Sequence, residues 1–196
     1  AISNAKNEML EPDMYKMRTN NEVRKEIIAQ VYELYQKRLR ENNAIDFDDI
    51  INYTIKILSE NPDVLEYYSQ KFEYVLVDEY QDTNKAQDLL IKLLAETHHN
   101  IFVVGDDQQS IYKFRGADIQ NILNFDRKFE NTKVIKLEQN YRSTKNILGI
   151  ANNVIKNNSG NLEKKLWTEN DTGSVPKLFQ ADNEYDEANY VVSQIY

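Results

Sequence analysis

The chain has 196 residues, enough for one or two domains with cores of their own. Hydrophobic residues make up 41% and charged residues 29%, an ordinary soluble composition, and no apolar run approaches the ~20 residues needed to cross a bilayer. A net charge of −8 argues against a protein that coats nucleic acid by bulk electrostatics, and the lack of cysteine excludes disulfides and thiolate metal sites.

Residues Ala1 to Asn7 lack the basic start and apolar core of a secretion signal. With no cysteine present, a cytoplasmic location is expected. From about Asn21 to Arg40, Val23, Ile27, Ile28, Val31, Leu34 and Tyr35 recur at helical spacing and predict an amphipathic helix. Asp46, with Asp49 three residues on, is placed to cap a second helix carrying Ile50, Tyr53, Thr54, Ile57 and Leu58, which Asn61-Pro62 stops. The first seventy residues are therefore expected to be mainly helical.

The pattern then changes. Tyr74 to Val77 is a short apolar run ending in Asp78-Glu79, and Ile101 to Val104 is a second one ending in Gly105-Asp106-Asp107. Between them Ala86, Leu89, Leu90, Leu93 and Leu94 keep a helical period, and His98-His99 reads as a solvated helix end rather than a metal site. Strands apolar on both faces, alternating with helices, predict the parallel sheet of an α/β domain, with ligands at the strands' carboxyl ends. Both acidic clusters stand there. A further run, Val134 to Leu137, precedes Asn140 to Ser143, and Ser143 is placed to cap a helix bearing Ile147, Ile150, Ala151, Val154 and Ile155. Residues 157–176 read as loops or a linker, Lys177 to Gln180 as one more strand, and a helix is expected from near Asp182 to the end.

Charge is unevenly placed. Between Ile111 and Lys145 there are eight Lys/Arg against four Asp/Glu, so contact with nucleic acid or phosphate is expected there first.

Three segments carry the chemistry. Val75 to Asn84 reads Val-Leu-Val-Asp-Glu-Tyr-Gln-Asp-Thr-Asn. An Asp at a strand end suits Mg²⁺, which takes hard oxygen ligands and keeps bound water; a neighbouring Glu can orient or deprotonate an attacking water. An isolated Asp-Glu pair reads more simply as a helix-capping turn, but the whole string Asp78 to Asn84 resembles the second motif of the UvrD/PcrA/Rep helicases. The second segment, Val104 to Ala117, is similar to that family's third motif, departing from it at Gln108, where many relatives carry Asp. The third, Leu137 to Thr144, resembles the fourth motif, LEQNYRS. Weaker echoes lie in Ala1 to Asn7, in Ile45 to Ile50 and in Glu187-Ala188 with Val191-Val192, so the likeness covers nearly the whole chain.

The resemblance implies an α/β fold of partial RecA-like, P-loop NTPase lobes preceded by a helical insertion. Residues 1–44 would be the tail of that insertion, 45–131 the back half of the first lobe and 132–196 the start of the second. It implies ATP and Mg²⁺ as cofactors, with Asp78 on the metal, Glu79 activating water, Gln109 at the γ-phosphate, Tyr141 stacked on adenine and Arg142 as a finger on the transferring phosphoryl group. A planar, permanently charged guanidinium suits that last role. As a plain surface residue near a helix start, Arg142 would be disfavoured by the helix dipole. Tyr112, Phe114 and Arg115 are assigned to single-stranded DNA; an aromatic face stacks on any base, and their spacing beside Lys113 fits an exposed face better than a core.

The activity implied is ATP-driven 3′-to-5′ movement on single-stranded DNA and unwinding at single/double-strand junctions, in repair or replication, with no membrane partner. The alternatives are a helicase-nuclease subunit of the AddA/RecB type, which shares these motifs, and a non-enzymatic module reusing the fold. No Lys in the chain is followed by Ser or Thr, so a G-x-x-x-x-G-K-[ST] phosphate loop is lacking. The chain is expected to be a middle slice of its parent, and inactive toward ATP by itself.

Overall fold

Residues 1–71 fold into five helices: α1 (Ile2–Asn7), α2 (Pro12–Met17), α3 (Val23–Glu41), α4 (Phe47–Glu60) and α5 (Pro62–Lys71). The start of α4 is fixed as the sequence predicts. Asp46 Oδ1 accepts the Asp49 N–H at 2.8 Å and Asp49 Oδ2 accepts the Asp46 N–H at 3.3 Å, a reciprocal capping box. Asn61 ends α4, and Pro62 opens α5 at the position where its missing N–H costs nothing. The computed structural model describes residues 1–158 and 164–195, and the chain divides into two units, Ala1–Val134 and Ile135–Tyr196.

One face of α3 differs from expectation. Its buried residues are Ala29, Tyr32 and Gln36, while Val23, Ile27, Val31 and Leu34 stand exposed. The reason is polar. Tyr32 seats its ring against Ala5 and Leu10 and donates its hydroxyl to the Leu10 carbonyl at 3.1 Å, and Gln36 donates to Asp49 Oδ1 at 3.1 Å. That same Asp49 oxygen, with Asp46, receives the buried Lys6 ammonium at 2.7 and 2.6 Å. Burial alone pulls the Lys6 pKa down, but hydrogen bonds and charge from the two aspartates outweigh it and hold the pKa above its ordinary value. A buried charge without such partners would be strongly destabilising, and Gln36 is the buried residue of α3 that joins this network.

The sheet follows. Strands β1 (Val75–Val77) and β2 (Ile101–Val103) pair in parallel, Val75 opposite Ile101 and Val77 opposite Val103, joined by α6 (Lys85–Ala95). Val77, Ile101 and Val103 pack with Ile91 of α6 against a cluster of Tyr80, Phe125 and Phe129. Phe125 opens the short helix α8 (Phe125–Lys128) and Phe129 follows it, while the short helix before, α7 (Gln120–Leu123), adds Ile122. The other face is open: Leu76 and Phe102 are 71% and 59% exposed, so these strands are covered on one side, not both.

In the second unit, α9 (Lys145–Ile155) and α10 (Glu184–Ile195) are the helices among the described residues. Thr144, not Ser143, holds the N-cap position of α9 and makes no side-chain cap bond. Val134 to Leu137 and Lys177 to Gln180 form no strand, because a strand needs a hydrogen-bonded neighbour and the bridge found here is Gln139 with Trp167. Part of the expected 157–176 loop lies outside the described residues. His99 is exposed, in a left-handed turn (φ 55°), whereas His98 is half-buried with Nδ1 accepting the Asn100 N–H at 3.0 Å. No described helix is long and apolar enough to cross a membrane.

Candidate functional site

The acidic turn is shaped by the residues on its C-terminal side. Tyr80, fully buried, packs edge-on to Phe125 at 5.5 Å and donates its hydroxyl to Asp88. Asp88 is also held by Lys92 and Lys128 at 2.8 and 2.9 Å. Burial pushes the Asp88 pKa up, but its bonds to Lys92, Tyr80 and Lys128 more than offset that and hold it below the usual carboxylate value. Anchoring Tyr80 downward forces the chain to turn sharply after β1. Glu79 takes the turn in the left-handed region, at φ 50° and ψ 42°, and Asp78 Oδ1 accepts the Glu79 N–H at 2.8 Å. Both acids remain exposed at the carboxyl end of the strand.

Gln81, 1% exposed, then joins the two acidic clusters. Its Nε2 donates to Glu79 Oε2 at 2.7 Å, and its Oε1 accepts the Asp106 N–H at 2.8 Å. Asp106 Oδ2 in turn accepts Gln109 Nε2 at 2.7 Å. Glu79 and Gln109, thirty residues apart in sequence, are thus the ends of one hydrogen-bonded chain. Gly105 makes the approach possible, since a Cβ there would lie 2.6 Å from Gln81 Oε1. The sequence displays Gln81 inside the motif, but nothing in its neighbours tells that its side chain turns inward.

The carboxylate oxygens at this turn are hard donors, the kind a divalent cation such as Mg²⁺ takes. Among the described residues no cluster of three or more His, Asp or Glu could hold a metal ion, and the oxygens at the turn come from an exposed Asp78 and from Asp82, whose Oδ1 is buried without a partner. Mg²⁺ is commonly held this way, by one or two carboxylates with water and substrate phosphates completing the shell.

Beyond Gln109, a short helical turn, Lys113–Arg115, presents an exposed aromatic pair. The Tyr112 and Phe114 rings are 6.0 Å apart, and the Arg115 guanidinium lies 5.3 and 5.5 Å from their centres. Phe114 is 71% exposed, which removes it from the core. Such a basic, flat-faced surface suits stacking on bases beside a phosphate contact.

In the second unit, Asn140 Oδ1 accepts the N–H groups of Arg142 and Ser143 at 3.0 and 2.7 Å, folding Asn140 to Ser143 into a tight turn. Asn170 Nδ2 donates to the carbonyls of Tyr141 and Ser143, both at 3.1 Å, and fastens the turn from the other side. Tyr141 and Arg142 are left exposed on it. The two asparagines that shape this loop carry no signal of that role in the sequence.

Residues 1–130 match the UvrD/REP helicase N-terminal domain and residues 135–196 the UvrD-like helicase C-terminal domain. The chain belongs to the UvrD/REP helicase family, and its fold is a partial RecA-like α/β fold. Among its relatives is the ATP-dependent DNA helicase PcrA of Bacillus subtilis (strain 168), 51% identical over 195 residues. The proteins of the same name from Staphylococcus epidermidis (strain ATCC 12228 / FDA PCI 1200) and Leuconostoc citreum are 53% and 50% identical. These matches cover 99–100% of the chain but only 26–27% of each relative, so the chain spans about a quarter of their length. The helicase-nuclease alternative draws no support from them.

Proposed function

We propose that the chain is part of an ATP-dependent DNA helicase motor that couples ATP hydrolysis to 3′-to-5′ movement on single-stranded DNA and to unwinding at single/double-strand junctions. The observation that carries this is the hydrogen-bonded chain from Glu79 through Gln81 and Asp106 to Gln109, which leads into the exposed Tyr112–Phe114–Arg115 surface. A cytoplasmic site of action in DNA repair or replication goes with it. So does the division into an insertion tail (1–44), the back half of a first lobe (45–131) and the opening of a second (132–196).

In this scheme Asp78 holds Mg²⁺, which supplies charge neutralisation for ATP phosphates when bound. Glu79 orients and deprotonates the attacking water. Gln109 contacts the γ-phosphate, and its amide, bonded to Asp106, is placed to pass a change there back to Glu79 through Gln81. Tyr141 offers its face to adenine, and Arg142 stabilises charge on the transferring phosphoryl group. Tyr112, Phe114 and Arg115 take the DNA strand. The test is the ATPase rate of the full-length parent with and without oligothymidylate, for wild type and Glu79→Gln. Turnover that DNA stimulates and Glu79→Gln abolishes is expected. A parent that binds DNA but never hydrolyses ATP would instead be a non-enzymatic module on the same fold.

A further inference from the structure

Asn7 lies outside all three motifs, 77 positions before Asn84 and 108 before Arg115, yet touches the segments of two of them. It is the last residue of α1 and 8% exposed. Its Oδ1 accepts Asn84 Nδ2 at 3.0 Å, and its Nδ2 donates to the Arg115 carbonyl at 3.2 Å. Asn84 has little freedom in this pairing, because its own Oδ1 caps α6 by accepting the Gln87 N–H at 2.9 Å. On the other side the approach is just as close: a Cβ on Gly116, which sits at φ +93°, would lie 2.8 Å from Asn7 Nδ2. Asn7 is therefore wedged between the end of the acidic segment and the turn that carries Phe114.

The wedge is rigid. The preceding residue, Lys6, is pinned by Asp46 and Asp49, and Asn52 Nδ2 donates to the Lys6 carbonyl at 3.0 Å. The end of α1 is thus fixed to α4, and Asn7 holds a constant position between its two partners.

We propose that Asn7 is a positioning residue that sets the aromatic turn Tyr112 to Gly116 in register with the Asp78–Asn84 segment, so that single-stranded DNA is bound at full strength only when that register is kept. It rests on the assignment of Tyr112, Phe114 and Arg115 to DNA. Asn7→Asp separates the two contacts: its oxygen still accepts from Asn84, but the donor to Arg115 is replaced by an oxygen facing a carbonyl. Two acceptor oxygens facing each other repel, and the turn, whose Tyr112–Arg115 stretch is exposed, is expected to move away.

The experiment uses the full-length parent and measures ATPase rate against oligothymidylate concentration, together with melting temperature. Asn7→Asp should raise the oligothymidylate concentration for half-maximal stimulation about tenfold. The rate at saturating DNA and the melting temperature should stay near wild type. Asn7→Ser, which adds no charge, should shift the half-saturation point in the same direction and covers the case in which the aspartate fails to fold. Half-saturation unchanged in the folded variants overturns the proposal, and so does a higher half-saturation concentration accompanied by falls in both maximal rate and melting temperature, which marks a purely structural residue. A wild-type parent indifferent to oligothymidylate overturns the DNA assignment together with the proposal, so the two failures are told apart by the wild-type curve.

Discussion

Gln81 Nε2 lies 2.7 Å from Glu79 Oε2, and through this bond a buried amide fixes the direction of an exposed carboxylate. Glu79 has no other side-chain partner among the described residues to do so. Gln81→Leu keeps the volume but removes both the donor to Glu79 and the acceptor for Asp106. In the full-length parent it should lower kcat on the order of 10²-fold, the size of effect that misplacing a reacting group by an ångström produces. The KM for ATP should move much less. Steady-state kinetics, corrected for folded fraction by near-ultraviolet circular dichroism, checks this; a kcat within a factor of two would detach Gln81 from the chemistry.

Arg142 stands exposed on a turn whose shape is set by backbone bonds to Asn140 and Asn170, so its side chain can be removed without disturbing the loop. Arg142→Ala should lower kcat of the parent by roughly 10³-fold, the low end for an arginine finger. Nucleotide affinity, read by titration with a fluorescent ATP analogue, should change far less. A near-normal kcat would return Arg142 to the ordinary surface.

Phe114 shows 71% of its surface, so Phe114→Ala should leave the melting temperature within a degree or two of wild type, unlike a core truncation. Loss of one stacked base should weaken single-strand binding by ~1–3 kcal/mol, which fluorescence anisotropy with labelled oligothymidylate reads directly. Phe114→Trp should restore affinity. Unaltered affinity in the alanine variant would move the DNA path elsewhere.

Stability should show an acid limb traceable to Asp88 and an alkaline one to which Lys6 contributes beside the buried phenols of Tyr32 and Tyr80, whose pKa values burial raises. The folded-state pKa of Asp88 is depressed, so its contribution is present above the unfolded value of about 3.9 and is lost as pH falls through the folded one. Asp46 acts in the same sense. The folded-state pKa of Lys6 is raised, so its contribution is complete below about 10.4 and is lost as pH rises through the folded value. Urea unfolding of the chain should therefore change little on account of these groups from about pH 5 to about pH 10, and weaken below about pH 4. Asp88→Asn should flatten the acid limb, and an unchanged limb would place the titrating groups elsewhere.

Periodicity and punctuation made much of the fold legible. Asp46 and Asp49 announce a cap, Asn61-Pro62 a stop, and two apolar runs ending in acids a parallel pair with acids at its carboxyl edge. What periodicity missed depended on burial. Ile27, Val31 and Leu34 form an apolar stripe, yet α3 turns Tyr32 inward onto Ala5 and Leu10, and Gln36 onto Asp49. Val134 to Leu137 has a strand's composition but pairs with no strand among the described residues. At the candidate site the exposed charged and aromatic residues stood out by residue type, whereas Gln81, Asn7, Asn140 and Asn170 did not. Their amides act through contacts across 2 to 108 positions, and an amide's letter says nothing about which backbone it will meet.

The left-handed backbone at Glu79 has an evolutionary side. An L-residue with a side chain gives up about 1–2 kcal/mol to sit there, and glycine gives up almost nothing. Glu79→Gly should relieve that backbone cost, but it takes from the buried Gln81 Nε2 its 2.7 Å acceptor and leaves no carboxylate to offer water. On the role proposed for Glu79, selection would keep the carboxylate in spite of its backbone cost.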